Sequence, residues 1–312
     1  MPFNKQKNFM SRFAPFFVII AASLWAVDGI ALRPLLYNLP VPLVVFIEST
    51  IVAVLLTPVM IKHFGKLKVL NYPDWLAFAG VALLGGAVGT MAITKALFYV
   101  DYVNLTIVVL IQKLQPVFAL TLAGILLKEK LSKDFFLWAV IAIIGAYLMT
   151  FGLTIPSLDS GEKTTLAALF SLLAAFSFGS STVLSKRALK NVGFEMGTYL
   201  RFAFSAVIML VIVLVTGAIQ NIGDVSNTQV YIFILIAFTT GGTAIFLYYY
   251  GLKKITASVA TICELAFPLT AVLLEYIIRG NILGPVQWAG AVVLFFSIIR
   301  VTRLNSKSGK TD

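Results

Sequence analysis

Seven ionisable residues lie inside long apolar stretches of this 312-residue chain: Asp28, Glu48, Lys95, Lys113, Arg201, Glu264 and Glu275. A charged side chain at the centre of a bilayer costs about 2.5–3.5 kcal/mol on insertion scales, so such residues face a partner or a polar space. Carboxylates at that depth can hold a proton or a cation. Lysine and arginine can hold an anion or an acceptor-rich ligand. Nucleophilic and metal chemistry is poorly supplied, because the chain has one histidine, His63, and one cysteine, Cys263. No disulfide, His/Cys metal site or Cys–His pair can be built from these, and no metal or cofactor is expected. Binding and proton exchange remain, and an intramembrane enzyme is disfavoured.

Two of the seven stand out. Lys113 and Glu264 each precede a proline, Pro116 and Pro268, by a few residues near the middle of an apolar run. Proline interrupts the helical hydrogen-bond ladder, which frees a carbonyl near Gln112 and another near Glu264 for a ligand or water. Lys113 and Glu264 either serve that ligand or pair with one another. Asp28 is either a proton-loading carboxylate or the salt-bridge partner of Lys95. Glu48 is expected to pair with Lys95 or Lys113, and Arg201 to snorkel towards head groups. Glu275 lies near enough to the surface to be hydrated. Trp25, Tyr99, Phe176, Tyr248 and Tyr249 can stack on a flat or cationic ligand. Gly85, Gly86 and Gly89, with Gly241 and Gly242, are expected to let helices approach closely.

The elements that must carry these residues follow from composition. Hydrophobic residues make up 60% of the chain and charged residues 12%, about half the charged share of a soluble domain. Most of the chain is therefore solvated by lipid. Crossing a hydrocarbon core about 30 Å thick takes about 20 apolar residues, and ten runs qualify: 13–32, 41–61, 75–98, 104–127, 134–152, 164–185, 195–217, 229–250, 256–278 and 285–302. Each must be a helix, since lipid leaves backbone groups nothing to bond. The first is too long for a signal-peptide core and no small-residue cleavage site follows it.

The net charge of +11 sits in short clusters between the runs, which argues against nucleic-acid binding. With the N-terminus in the cytoplasm, eighteen Lys and Arg fall in inside segments and three, Arg33, Lys163 and Arg279, outside. This asymmetry places both termini in the cytoplasm, and a bacterial inner membrane is the expected location.

The two halves of the chain overlay. Gly89-Thr90-Met91-Ala92 falls on Gly241-Gly242-Thr243-Ala244, Gln112 on Glu264 and Pro116 on Pro268 at an offset of 152, and Trp138 on Trp288 at 150. Each half, 13–152 and 164–303, holds five spans. An odd number forces the second copy to enter the membrane from the opposite side. Such inverted repeats occur in many secondary transporters, with a site near the midplane between them.

The run Leu114-Gln115-Pro116-Val117-Phe118 to Lys128-Glu129-Lys130-Leu131, and its counterpart Ala266-Phe267-Pro268-Leu269, resemble the EamA-type members of the drug/metabolite transporter superfamily over nearly the whole chain. The resemblance implies an all-α integral membrane protein whose ten helices form two inverted five-helix repeats around a central cavity. It also implies alternating-access transport of a small metabolite, such as an amino acid or a drug-like compound, with a proton as the plausible coupling ion. A first-span carboxylate exchanges protons for substrate in the small multidrug-resistance members, which recommends Asp28. Two departures are visible: Asn281 stands where the family has an acid after span nine, and Glu48 aligns with Arg201. A flippase for a lipid-linked substrate and an uptake or exchange carrier share the scaffold, and a channel would need a continuous polar lining. Membrane lipid is the expected surroundings, and the assembly is a monomer or a homodimer. No phosphate-binding G-x-x-x-x-G-K-[ST] sequence occurs, so this chain by itself drives nothing with ATP.

Overall fold

A computed structural model describes residues 13–99, 108, 111–153, 162–280 and 283–308. Among them every regular element is helical. The helices are α1 (Ala14–Val27), α2 (Val41–Met60), α3 (Tyr72–Val81), α4 (Gly89–Phe98), α5 (Gln115–Leu126), α6 (Lys133–Phe151), α7 (Glu162–Ala188), α8 (Phe194–Val215), α9 (Asn227–Phe238), α10 (Gly242–Lys254), α11 (Ala257–Cys263), α12 (Ala266–Arg279) and α13 (Pro285–Ser308). Nine stretches among the described residues are long and apolar enough to cross a membrane, and α5 is a shorter apolar helix in the fourth span.

The starts of these helices are written in short polar signals. Asn71 accepts from the Asp74 amide while the Asp74 carboxylate accepts from the Asn71 amide, which closes a capping box on α3. Ser226 and Gln229 do the same for α9. Ser132 and Thr256 each take one orphan amide at the starts of α6 and α11. Proline stands at the first turn of α1, α2 and α5, where its missing N–H is not needed.

Besides the end of the first span, four spans are irregular, and these irregularities come in symmetry-related pairs. The third span passes through a π-helical stretch, Ala82–Val88, between α3 and α4, and the eighth breaks at Thr239–Gly241 between α9 and α10. The fourth breaks at Lys113-Leu114 and the ninth at Glu264-Leu265. Pro116 and Pro268 explain the latter two, as each forbids the bond to the residue four before it. One expectation is corrected here: the Glu264 carbonyl is not free, because the Phe267 amide donates to it at 2.9 Å.

Packing exchanges partners between halves. α1 lies against α10 and α12 of the second half, and α7 lies against α3, α4 and α5 of the first. α2 packs on α8, and α6 on α13. Each contact therefore has a counterpart with the halves interchanged, as two inverted five-helix repeats around a common centre require. The α6–α13 crossing is tight. A Cβ on Gly290 would meet the Met149 amide nitrogen and stand 2.8 Å from the Leu148 carbonyl carbon, while one on Gly145 would stand 2.8 Å from the Leu294 nitrogen. Only glycine lets these two backbones approach so closely.

Candidate functional site

The break in the ninth span puts Glu264 at the C-terminal end of α11, where its side chain turns towards α5, α7 and α10. Oε1 accepts from the Tyr248 hydroxyl at 2.7 Å and from Thr182 Oγ1 at 3.1 Å. Oε2 accepts from the Gln115 side-chain amide at 2.8 Å. The Tyr248 hydroxyl also lies 3.0 Å from Thr182 Oγ1. Donors from both repeats thus converge on one carboxylate, which is how a charge is held away from water. The Trp25 ring of α1 lies 5.2 Å, centroid to centroid, from that of Tyr248.

Next to Tyr248 on α10, Tyr249 reaches the same helix, α7, one turn further along. Its ring is 5.9 Å from that of Tyr248, and its hydroxyl lies 3.0 Å from Ser185 Oγ. Arg201 of α8 donates to the same hydroxyl at 3.5 Å and stands 5.9 Å from the Tyr249 ring. The glycines of the π-helical stretch make room for it. A Cβ on Gly85 would stand 3.3 Å from Arg201 Nη2 and 2.8 Å from Ser181 Cβ, and one on Gly86 would stand 3.0 Å from Ser205 Cβ. No ion pair joins this arginine to Glu264. The centre therefore has two poles: a carboxylate surrounded by donors, and a guanidinium against the Tyr249 hydroxyl with Ser181 and Ser205 at the neighbouring glycines.

Several sequence-based pairings are corrected by this geometry. Lys113 and Glu264 form no ion pair; the symmetry axis brings Gln115 to the carboxylate instead. Lys113 itself makes no ion pair among the described residues. Arg201 does not snorkel outward but packs on Tyr249. Gln112 bonds away from the carboxylate, donating to the Ser171 carbonyl at 3.3 Å. Lys95 is exposed and stands 5.9 Å from the Tyr99 ring, which stacks on Phe170. Phe176 packs edge-on against Phe118. Asn281 lies outside the described residues, as does the side chain of Glu275.

Asp28 and Glu48 meet, but through Arg33 rather than Lys95 or Lys113. Asp28 opens a π-helical turn, Asp28–Leu32, and a 3-10 turn, Arg33–Leu36, follows it. That π turn brings residue 33 back over residue 28. Arg33 Nε and Nη2 both lie 2.7 Å from Asp28 Oδ2, and Nη2 lies 3.1 Å from Glu48 Oε1. Thr240, in the break of the eighth span, donates to Asp28 Oδ1 at 3.2 Å. This cluster ties α2 and the eighth span to the end of the first. Sequence placed Arg33 in a connecting segment, because five-residue spacing has no meaning on an ordinary α-helix.

At the lysine-rich end the halves are joined again. Asp74, fully buried, accepts from Arg187 at 2.6 Å and from Asn191 at 2.7 Å. Glu129 caps α11, accepting from the amides of Ala257 and Ser258 at 2.8 and 3.0 Å and from Ser258 Oγ at 2.6 Å. Lys128, just before it, adopts φ 56°, a left-handed conformation that turns the chain out of the helix and directs Glu129 across. The role of Glu129 was missed by sequence reasoning, although the Lys128-Glu129-Lys130 motif marked the place. Among the described residues no group of three or more His, Cys, Asp and Glu could hold a metal ion.

Comparison with known proteins agrees with the repeat. The model of the EamA-like transporter family matches residues 12–151 and again 165–303. Over 289 residues, 92% of this chain and 97% of the relative, the sequence is 47% identical to the riboflavin transporter ImpX of Fusobacterium nucleatum subsp. nucleatum. It is 26% identical over 251 residues, 78% of this chain and 70% of the relative, to a Synechocystis protein named uncharacterized transporter sll1164. A solved crystal structure superposes with a TM-score of 0.72 at 15% identity, covering 94% of this chain and 98% of that one, which shows the shared fold.

Proposed function

Because the chain belongs to the EamA-like transporter family, we propose that it is a carrier of riboflavin, moved across the membrane by alternating access of a central site to either face. The name of its 47% identical relative supports the substrate. The observation that carries the site is the convergence of Gln115, Thr182 and Tyr248 on Glu264 beside Trp25. Riboflavin offers a flat three-ring system whose uracil-like edge has an N–H between two carbonyls. Glu264 can accept from that N–H while Gln115 and Tyr248 turn their donors to the carbonyls, and the Trp25 and Tyr248 rings border the flat face.

The same donors release Glu264 to the ligand only as the ligand arrives. Binding therefore exchanges hydrogen bonds instead of exposing a bare charge, and rearrangement of the broken helices α5, α11 and α12 accompanies it. The lysine-rich end is the cytoplasmic one in this reading. The carboxylates of Glu264 and Asp28 are the groups through which a proton would be coupled.

Reconstituted protein tests this directly. Labelled riboflavin should enter proteoliposomes with saturable kinetics, and unlabelled riboflavin on the far side should accelerate exchange. Glu264→Gln should fold normally yet lose transport, since its amide offers a donor where Gln115 already presents one. Riboflavin flux no greater than through empty liposomes would remove the substrate assignment. An inward proton gradient that leaves flux unchanged would assign facilitated diffusion, and acceleration would assign proton coupling.

A further inference from the structure

Arg201 is a permanently charged group at membrane depth whose hydrogen bonding is largely unmet. Among the described residues it makes one hydrogen bond, at 3.5 Å to Tyr249, and no ion pair. A guanidinium carries five N–H donors, so most have no protein acceptor. Ser205, four residues on and thus on the same face of α8, is 2% exposed and its hydroxyl has no partner either. Ser181 and Ser205 flank the same pair of glycines, Gly85 and Gly86, and Gly85 also abuts Arg201. Ser185 and Tyr249 complete a hydroxyl-lined surround. Arg201 is only part-buried, so its unpaired donors are open to a ligand, and a guanidinium beside hydroxyls suits a ligand that presents several oxygens along a flexible chain.

We infer that Arg201, with Ser181, Ser205 and Tyr249, forms a second substrate subsite that binds the hydroxylated chain of the ligand, while Glu264 and Trp25 hold its flat end. This rests on the riboflavin reading above and adds to it a specificity-determining residue. The two adjacent tyrosines set the polarity: Tyr248 serves the carboxylate pole and Tyr249 the guanidinium pole. The ring system alone would then occupy half the site, and the polyol chain would distinguish riboflavin from flavins that lack it.

Two flavins separate the subsites: riboflavin, and lumiflavin, in which a methyl group replaces the hydroxylated chain. Purified protein in detergent is titrated with each and binding is followed by quenching of flavin fluorescence. Arg201→Gln should weaken riboflavin about 10- to 100-fold, the range for a hydrogen bond to a charged group, and leave lumiflavin within about two-fold. Arg201→Lys should fall between, because it keeps the charge and loses the fork. Should Arg201→Gln not fold, Ser205→Ala, which deletes only an unpartnered hydroxyl, should still weaken riboflavin a few-fold and spare lumiflavin. Equal losses for both flavins would make Arg201 a scaffold for Glu264 and overturn the inference, as would no loss for either. Wild-type protein that binds neither flavin would strike the riboflavin reading itself, and this inference with it.

Discussion

Replacing Arg33 by Met is expected to damage the protein more than removing either carboxylate it serves. Among the described residues Arg33 is the one cation in ion-pair contact with two acids, at 2.7 Å from Asp28 and 3.1 Å from Glu48, and the three side chains are 19%, 11% and 13% exposed. Taking it away leaves two like charges side by side in a medium that solvates neither. Breaking a buried pair by deleting one partner costs about 3–5 kcal/mol, and a carboxylate doublet puts this case towards the upper end. With a chain of this length shifting by roughly 2 °C per kcal/mol, the melting point should fall by about 6–10 °C. Asp28→Asn leaves a balanced Arg33–Glu48 pair and should cost about 1.5–3 kcal/mol, the scale of one charge-assisted hydrogen bond. The neutral triple variant Asp28→Asn, Arg33→Met, Glu48→Gln should recover most of the loss, since a buried ion cluster replaced by neutral groups of similar volume is often tolerated. The assay is the thermal unfolding midpoint of purified protein in one detergent. A single Arg33→Met variant that melts like wild type, or a triple variant no more stable than that single, would refute the argument that Arg33 compensates both acids.

Two further outcomes follow from the tight contacts. Gly290→Ala should lower the melting point and the yield of folded protein, as its Cβ would meet the Met149 amide and stand 2.8 Å from the Leu148 carbonyl carbon with backbone on every side; overpacking of this kind costs about 1–3 kcal/mol or more. Glu129→Ala should cost about 1–2 kcal/mol through loss of the α11 cap, with raised hydrogen exchange at the amides of Ala257 and Ser258 as the local signature.

The helices and their inverted order were legible in the sequence because bilayers impose them: a span must be long, apolar and helical, and prolines at equal offsets mark equal breaks. Glu264, Tyr248 and Trp25 were legible as candidates for the same reason, being polar or aromatic groups in runs that otherwise tolerate neither. Their partners were not. Which residues meet depends on how the repeats are rotated about their axis, and that rotation brings Gln115 rather than Lys113 to Glu264. Arg33 was hidden by a local change of helix type, since a π turn places residue 33 over residue 28. Arg201 was misread because its depth along α8 allowed snorkelling, and only the packing of Tyr249 and Gly85 shows that it turns inward.

The exchange of partners between halves bears on how the nascent chain matures. When the ribosome has delivered the sequence only as far as Phe151, Asp28 still lacks Thr240, Asp74 lacks Arg187, and Glu129 has no helix to cap. The leading half must wait in the membrane with polar groups unanswered until the trailing half arrives to complete it. Expressed separately, neither half should be a stable unit, whereas the two supplied together as separate polypeptides should be able to find each other.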